Sequence, residues 1–318
     1  MSTTRGFIIG AIASLGFGTS GAFIKPLLEA GWSPAAAVTV RAGVAGLVLM
    51  PFAIMALRGK WSAVARAKWR ILGMATIGVA GTQLAYFAAV QRVPVSTALL
   101  IEYLAPLLLV LFVWARTRRA PGLVVIIGSV VAIGGLVLVI GPGSIVATDG
   151  LGIVFAAIAA VGCAIYYVIA ARPSDGLPPV AYAAFGLAGG SAMLAIVGAT
   201  GLVPFTANFG SIPFVGTPQP WWVPLGMVGL LATAIPYVAS IAASEMLGSR
   251  LMSFVGLLEV VFASVFAWIS IGEALNATQL VGGALILAGI AFVRSEKQAR
   301  AELEPVPLGQ APTVKESV

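Results

Sequence analysis

The stretch Leu99-Leu100-Ile101-Glu102-Tyr103-Leu104-Ala105-Pro106 sets one carboxylate in the middle of an apolar run covering residues 95–115. About 20 apolar residues in a helix cross the ~30 Å hydrocarbon core of a bilayer. A charge at that depth costs roughly 3 kcal/mol on insertion scales, so such residues face the protein interior, find a partner and mark a transport path. A second stretch, Gly256-Leu257-Leu258-Glu259-Val260-Val261, repeats the arrangement within residues 251–271. The other apolar runs read as the housing for these two acids.

Those runs fall at 6–28, 34–57, 70–90, 121–140, 151–171, 178–203, 221–243 and 277–293. With the two that carry Glu102 and Glu259 they make ten spans. The composition agrees: 60% of residues are hydrophobic and 9% are charged, the signature of an integral membrane protein. Backbone groups in lipid must be satisfied within each segment, and no ten-residue alternation suggests a barrel, so the fold class is all-α. The first run is too long for a signal peptide and reads as a retained helix. Two connections are longer than the rest: 58–69 is basic, and 204–220 is rich in Pro and Gly with no Lys or Arg. From Arg294 onward the chain is polar and reads as a disordered cytoplasmic tail.

Lys and Arg set the orientation. Fifteen of the 18 lie at one side of the spans: Arg5, five from Arg58 to Arg70, Arg116, Arg118, Arg119, Arg172, Arg250 and four from Arg294 on. Lys25 and Arg92 lie at the other side, and Arg41 lies within a span. Both termini are therefore expected in the cytoplasm of a cell with the protein in its inner (plasma) membrane. The net charge of +7 is a topology signal that meets anionic lipid heads, not a nucleic-acid footprint. Histidine is absent and Cys163 is the one cysteine. No nucleophile elbow, phosphate-binding loop or metal-ligand spacing is found. An enzyme, a nucleotide-driven pump, a metal and a cofactor are thus not expected.

The chain also repeats. Leu99-Leu100-Ile101-Glu102 echoes Leu257-Leu258-Glu259, and Gly128 and Gly135 share the spacing of Gly282 and Gly289 one helix later. Lys25-Pro26 and Arg172-Pro173 end the first helix of each half. The halves are 1–147 and 148–293, with five helices each. Five is odd, so the second half threads the membrane in the opposite sense, and the two carboxylates straddle the midplane.

Several polar residues surround this crevice. Glu102 is the candidate proton carrier, because a carboxylate takes up a proton when desolvated and releases it where water reaches it; a structural carboxylate fixed by a buried partner is the alternative. Glu259 is either a second titrating group or a tie for its helix interface. Arg41, about two turns into the second span, either receives a substrate carboxylate or neutralises Glu102. Gln83 and Tyr86 share a helix face and, with Tyr103, either line a substrate or bond between helices. Thr19, Ser20 and Gly21 make the first span small and polar, suiting a cavity wall or close packing. One of Tyr166 and Tyr167 is expected away from the cavity. Glu273 reads as a loop or capping residue, and Trp61, Trp69, Trp221 and Trp222 as interface belts.

Residues 249–290 resemble the end of an EamA-type domain, through Leu258-Glu259, Ile271-Gly272-Glu273-Ala274-Leu275-Asn276 and Gln279-Leu280-Val281-Gly282. With ten spans in two repeats, the chain resembles the drug/metabolite transporter superfamily. Three further stretches resemble its threonine/homoserine exporter branch: Ala37-Val38-Thr39-Val40-Arg41, Gln91-Arg92-Val93-Pro94-Val95 running on to Glu102 and Pro106, and Ala234-Ile235-Pro236-Tyr237. The resemblance implies efflux of small zwitterions from the cytoplasm in exchange for protons. A broad exporter of aromatic or cationic compounds is the alternative. Relatives often carry Pro after the ninth-span carboxylate, where Val260 stands here, so a kink there is not expected on that ground; Pro106 offers one in the fourth span.

Overall fold

A computed structural model describes residues 3–118, 120–141, 149–173, 175–214, 216–271 and 276–303. Ten of its helices are long and apolar enough to cross a membrane. They are α1 (Thr3–Glu29), α2 (Pro34–Ala56), α3 (Lys68–Val90), α4 (Val95–Thr117), α5 (Leu123–Ile140), α6 (Gly150–Ala170), α7 (Pro179–Ala199), α8 (Trp222–Leu247), α9 (Ser249–Phe266) and α10 (Ala277–Ser295). Their outer surface is apolar, with Leu47, Leu123, Val130, Ile196 and Ile269 all exposed, as lipid requires.

Local chemistry explains where the helices begin and end. Ser33 caps α2 by accepting from the Ala36 N–H, with Pro34 at the first helical position. Asp149 caps α6 by accepting from the Leu151 and Gly152 N–H groups. Arg92 also bonds Asp149 at 3.1 Å, and with those two N–H groups it holds this carboxyl below its ordinary range. Gly248, at φ +80°, is the single residue between α8 and α9; a left-handed conformation there costs a side chain dearly. Asn276 and Gln279 cap α10 reciprocally: the Gln279 N–H donates to Asn276 Oδ1 at 2.8 Å, and the Asn276 N–H to Gln279 Oε1 at 3.1 Å. This gives a structural reason for the Gln of the Gly-Glu pattern; Glu273 itself lies outside the described residues. Past α10 the helix continues to Leu303, so the first residues read as a polar tail are helical. Residues 304–318 lie outside the described set.

The packing of helices shows the repeat. α10 lies on α5 and α7 on α2, pairings that map onto themselves when the halves are exchanged. α1 packs on α8 as α6 packs on α3, and α1 on α9 as α6 on α4. The small-residue spacing is used crosswise. A Cβ on Gly289 would stand 2.6 Å from the Gly128 carbonyl oxygen, and one on Gly282 2.6 Å from that of Gly135. The α5–α10 backbones therefore meet directly.

The two ends of the bundle differ. At the end opposite the basic loops, the Pro- and Gly-rich connection between α7 and α8 forms a hairpin, β1 (Ser211–Phe214) against β2 (Thr217–Pro220), antiparallel with Phe214 opposite Thr217. Phe209, Trp32 and Trp221 stack edge-on and tilted beside it, and Trp32 Nε1 donates to the Asn208 carbonyl at 2.7 Å. Trp221 thus joins an aromatic cluster, while Trp61, Trp69 and Trp222 stay exposed at the ends of the bundle.

Gly289→Ala places its Cβ against the Gly128 and Ala132 backbone, which has no room to yield, and is expected to lower stability by about 1–3 kcal/mol. Gly134→Ala meets open space and should leave the melting temperature in detergent unchanged or higher. Equal melting temperatures for the two variants would show that the α5–α10 contact is not tight.

Candidate functional site

Two spans are interrupted at their carboxylates. The regular helix of α4 stops at Glu102, turns through Tyr103 and Leu104, and resumes at Ala105. Pro106 has no N–H, so the carbonyl of Glu102 loses its helical donor. The turn is held by short-range bonds, Leu104 N–H to the Ile101 carbonyl at 3.1 Å and Leu107 N–H to the Leu104 carbonyl at 2.9 Å. α9 breaks at Leu257, two residues before Glu259, without any proline. There the Ser14 hydroxyl of α1 is shared between the Val255 carbonyl at 3.0 Å and the Gly10 carbonyl of its own helix at 3.1 Å. Gly18 lets α1 approach the Glu259 backbone, since a Cβ would stand 3.0 Å from its carbonyl oxygen. The missing proline therefore does not straighten α9.

Two more interruptions match across the repeat. Met74–Gly81 of α3 and Leu230–Ala234 of α8 wind as π-helix. Each is followed or held by a threonine bonding five residues back: Thr82 to the Ile77 carbonyl at 2.7 Å, Thr233 to that of Val228 at 2.8 Å. Such widened turns cluster at functional sites, and nothing in the apolar pattern announces them.

The breaks bring charges together. Tyr103 lies within interaction range of Glu259 across the half-to-half interface. Arg41 of α2 faces Tyr237, Glu259 and Glu102 and donates to Ser20 Oγ at 2.7 Å. Among the described residues the ion pairs within 4.0 Å are Arg70–Glu245 and Arg92–Asp149, so Arg41 stands near both acids without clamping either. Arg41, Glu102, Tyr103 and Glu259 are each half-buried rather than sealed, which defines an internal crevice. Tyr86 lies within electrostatic reach of Glu102. Gln83, one turn away and half-buried, makes no hydrogen bond among the described residues.

Of the residues expected at the site, Glu102, Glu259, Arg41 and Tyr103 form the cluster, Tyr86 borders it and Gln83 stands on its edge. Ser20 proves to be the Arg41 acceptor. Tyr237, part of the Ala234-Ile235-Pro236-Tyr237 stretch, joins the cluster: it meets Phe17 edge-on at 5.3 Å and Tyr166 at 5.8 Å. Tyr166 is buried and donates to Ser240 at 2.9 Å, and Tyr167 covers Gly256 at the α9 break, so neither faces lipid. Cys163 stands within reach of both carboxylates.

The crevice is closed toward the basic loops. Residues 251–258 are all buried. Beyond them Arg70 of α3 bonds the carbonyls of Ile169, Ala170 and Pro173 at the end of α6 and the carboxylate of Glu245 on α8 at 3.1 Å. Its guanidinium lies 4.5 Å over the Tyr182 ring of α7. One residue of the first half thus ties three helices of the second. Toward the hairpin end, Gly21 is exposed with nothing within 4 Å of a Cβ.

Two oppositely threaded five-helix halves, with a charged crevice at their broken spans, define the architecture of a membrane transporter. The comparisons with known proteins agree. The chain belongs to the EamA-like transporter family, whose model matches residues 4–141 and again 150–295. It is 28% identical over 230 residues to an uncharacterized transporter of Archaeoglobus fulgidus, covering 71% of this chain and 77% of that one. A crystal structure of a protein 20% identical in sequence shares the fold with a TM-score of 0.73, over 93% of this chain and 100% of that chain.

Glu245→Gln weakens the charged bond to Arg70, an interaction of about 1.5–3 kcal/mol when partly buried. Opening at the basic end should then increase about tenfold, read as faster alkylation of the single Cys163 by a membrane-impermeant maleimide presented from the basic side only. A labelling rate equal to that of the parent protein would show that Arg70 does not hold this end shut.

Proposed function

We propose that this protein is a secondary transporter that exports small metabolites, amino acids such as threonine and homoserine foremost, in exchange for protons. The observation that carries this reading is the placement of Arg41 beside, but not clamped to, Glu102 and Glu259. A zwitterion needs a cation for its carboxylate and an anion for its ammonium group within a few ångströms of each other. Arg41 presents a planar fork suited to the first, and the paired acids serve the second. The basic end faces the cytoplasm of a cell whose inner membrane holds the protein, by the distribution of Lys and Arg. The conformation described is then closed inside and accessible from outside. Substrate enters from the cytoplasm after the Arg70 tie opens, and the halves rock about the broken spans.

Glu102 carries the proton in this scheme, and its protonation favours the return to the inward-facing state. In proteoliposomes, Glu102→Gln should abolish substrate-driven pH change while leaving the protein folded. Unaltered coupling removes Glu102 from the mechanism.

A second reading, broad efflux of aromatic or cationic compounds, is favoured by the rings at the site: Phe17, Tyr103 and Tyr237 all border it. Arg41 weighs against it, because an aromatic or cationic guest without a carboxylate gives that guanidinium no anion to bind. Cells overproducing the protein should gain resistance to toxic amino-acid analogues and none to cationic dyes; the reverse pattern makes the second reading correct.

A further inference from the structure

Away from the crevice, the outward faces of α4 and α5 leave a furrow. Its larger part, about 440 Å³, runs between Leu107, Leu111, Trp114, Pro121, Ile126 and Val130. A second part, about 290 Å³, continues past Ile101 and Leu104 to Val137 and Ile153 of α6. Ile133 lines both, so the two are one track along most of the bilayer's depth. The walls are apolar. Ser129 spends its hydroxyl on the Val125 carbonyl of its own helix at 2.7 Å and offers nothing to a polar guest.

The mouth of the furrow is basic. Trp114 lines it at the end of α4, and Ala120 and Pro121 form the opposite lip. Arg118 stands between them in the chain, in a left-handed conformation; it is exposed, and among the described residues no carboxylate pairs with it. Arg116, two residues after Trp114, falls on the opposite face of the helix.

We propose that the furrow is a binding site for an anionic phospholipid, with an acyl chain along α4–α5 and the headgroup phosphate on Arg118. An apolar furrow ending beside an unpaired guanidinium group matches the two parts of such a lipid. A second copy of this chain fits poorly. A twofold axis along the membrane normal would bring the arginines of the two copies to the same level, face to face. The bound chain rests on Ile101 and Leu104, which flank Glu102 and Tyr103, and so supports the outer side of the α4 break.

The test is native mass spectrometry of the full-length protein with phosphatidylglycerol and phosphatidylcholine of equal chain length. The parent protein should retain phosphatidylglycerol in preference. Arg118→Gln should lower that preference about fivefold, and Arg116→Gln, on the opposite face of the helix, should leave it unchanged. Val130→Trp fills the furrow and should displace the lipid with both arginines intact. All three positions are exposed, and melting temperatures in phosphatidylcholine alone check that the variants fold. Equal retention of the two lipids, no effect of Arg118→Gln, or an equal loss in Arg116→Gln overturns the proposal. Lipid preference untouched by Val130→Trp shows attraction to the surface alone and overturns it too. A dimer lost in Val130→Trp assigns the furrow to a second copy instead.

Discussion

A helix inside a bilayer has no water to repair its backbone, so any break must be satisfied by the protein itself. The whole arrangement depends on two such breaks. In α4 the Glu102 carbonyl loses its donor to Pro106, and the turn through Tyr103 and Leu104 tightens to compensate. In α9 the Val255 carbonyl takes its hydrogen bond from Ser14 of α1. Each break swings a carboxylate out of an apolar helix and toward the other half. Had the helices run straight, Glu102 and Glu259 would have had to find partners on regular helix faces, and no shared crevice would exist.

The pseudo-twofold relation explains why the breaks come in pairs, and why the π-helical turns of α3 and α8 do as well. It also makes the exceptions informative. Proline stands at one break, and a serine hydroxyl from α1 meets a carbonyl beside the other. Arg70 ties α3 to the second half at the basic end, while aromatic stacking organises the opposite end. Two half-structures of one plan are thus held by different chemistry at their two ends.

Arg41 illustrates how a buried cation is kept usable. Full pairing with either acid would fix it and leave nothing for a guest. Instead it gives one bond to Ser20 at 2.7 Å and stays within electrostatic reach of Glu102 and Glu259. Its charge is offset by the pair without a direct clamp, and the crevice remains polar enough to admit water.

Much of this was legible in the chain. The ten spans, their alternation and the opposed sense of the halves follow from lengths of apolar run and an odd helix count, because hydrocarbon thickness and backbone satisfaction leave few alternatives. The depth of Glu102, Glu259 and Arg41 follows from the same count. Gly128, Gly135, Gly282 and Gly289 announced a close contact by their spacing, and the fold shows that they meet crosswise. What only the tertiary structure decided are relations between distant segments: that α9 breaks beside Ser14 where no proline stands, that Thr82 and Thr233 close widened turns, that Tyr237 enters the cluster, and that Arg70, which reads as one more loop charge, binds Glu245 and the end of α6. The reason is physical. Hydropathy and length are properties of one segment and can be read along it. A hydrogen bond between helices depends on which faces the packing turns toward each other, and that is settled only when all ten are assembled.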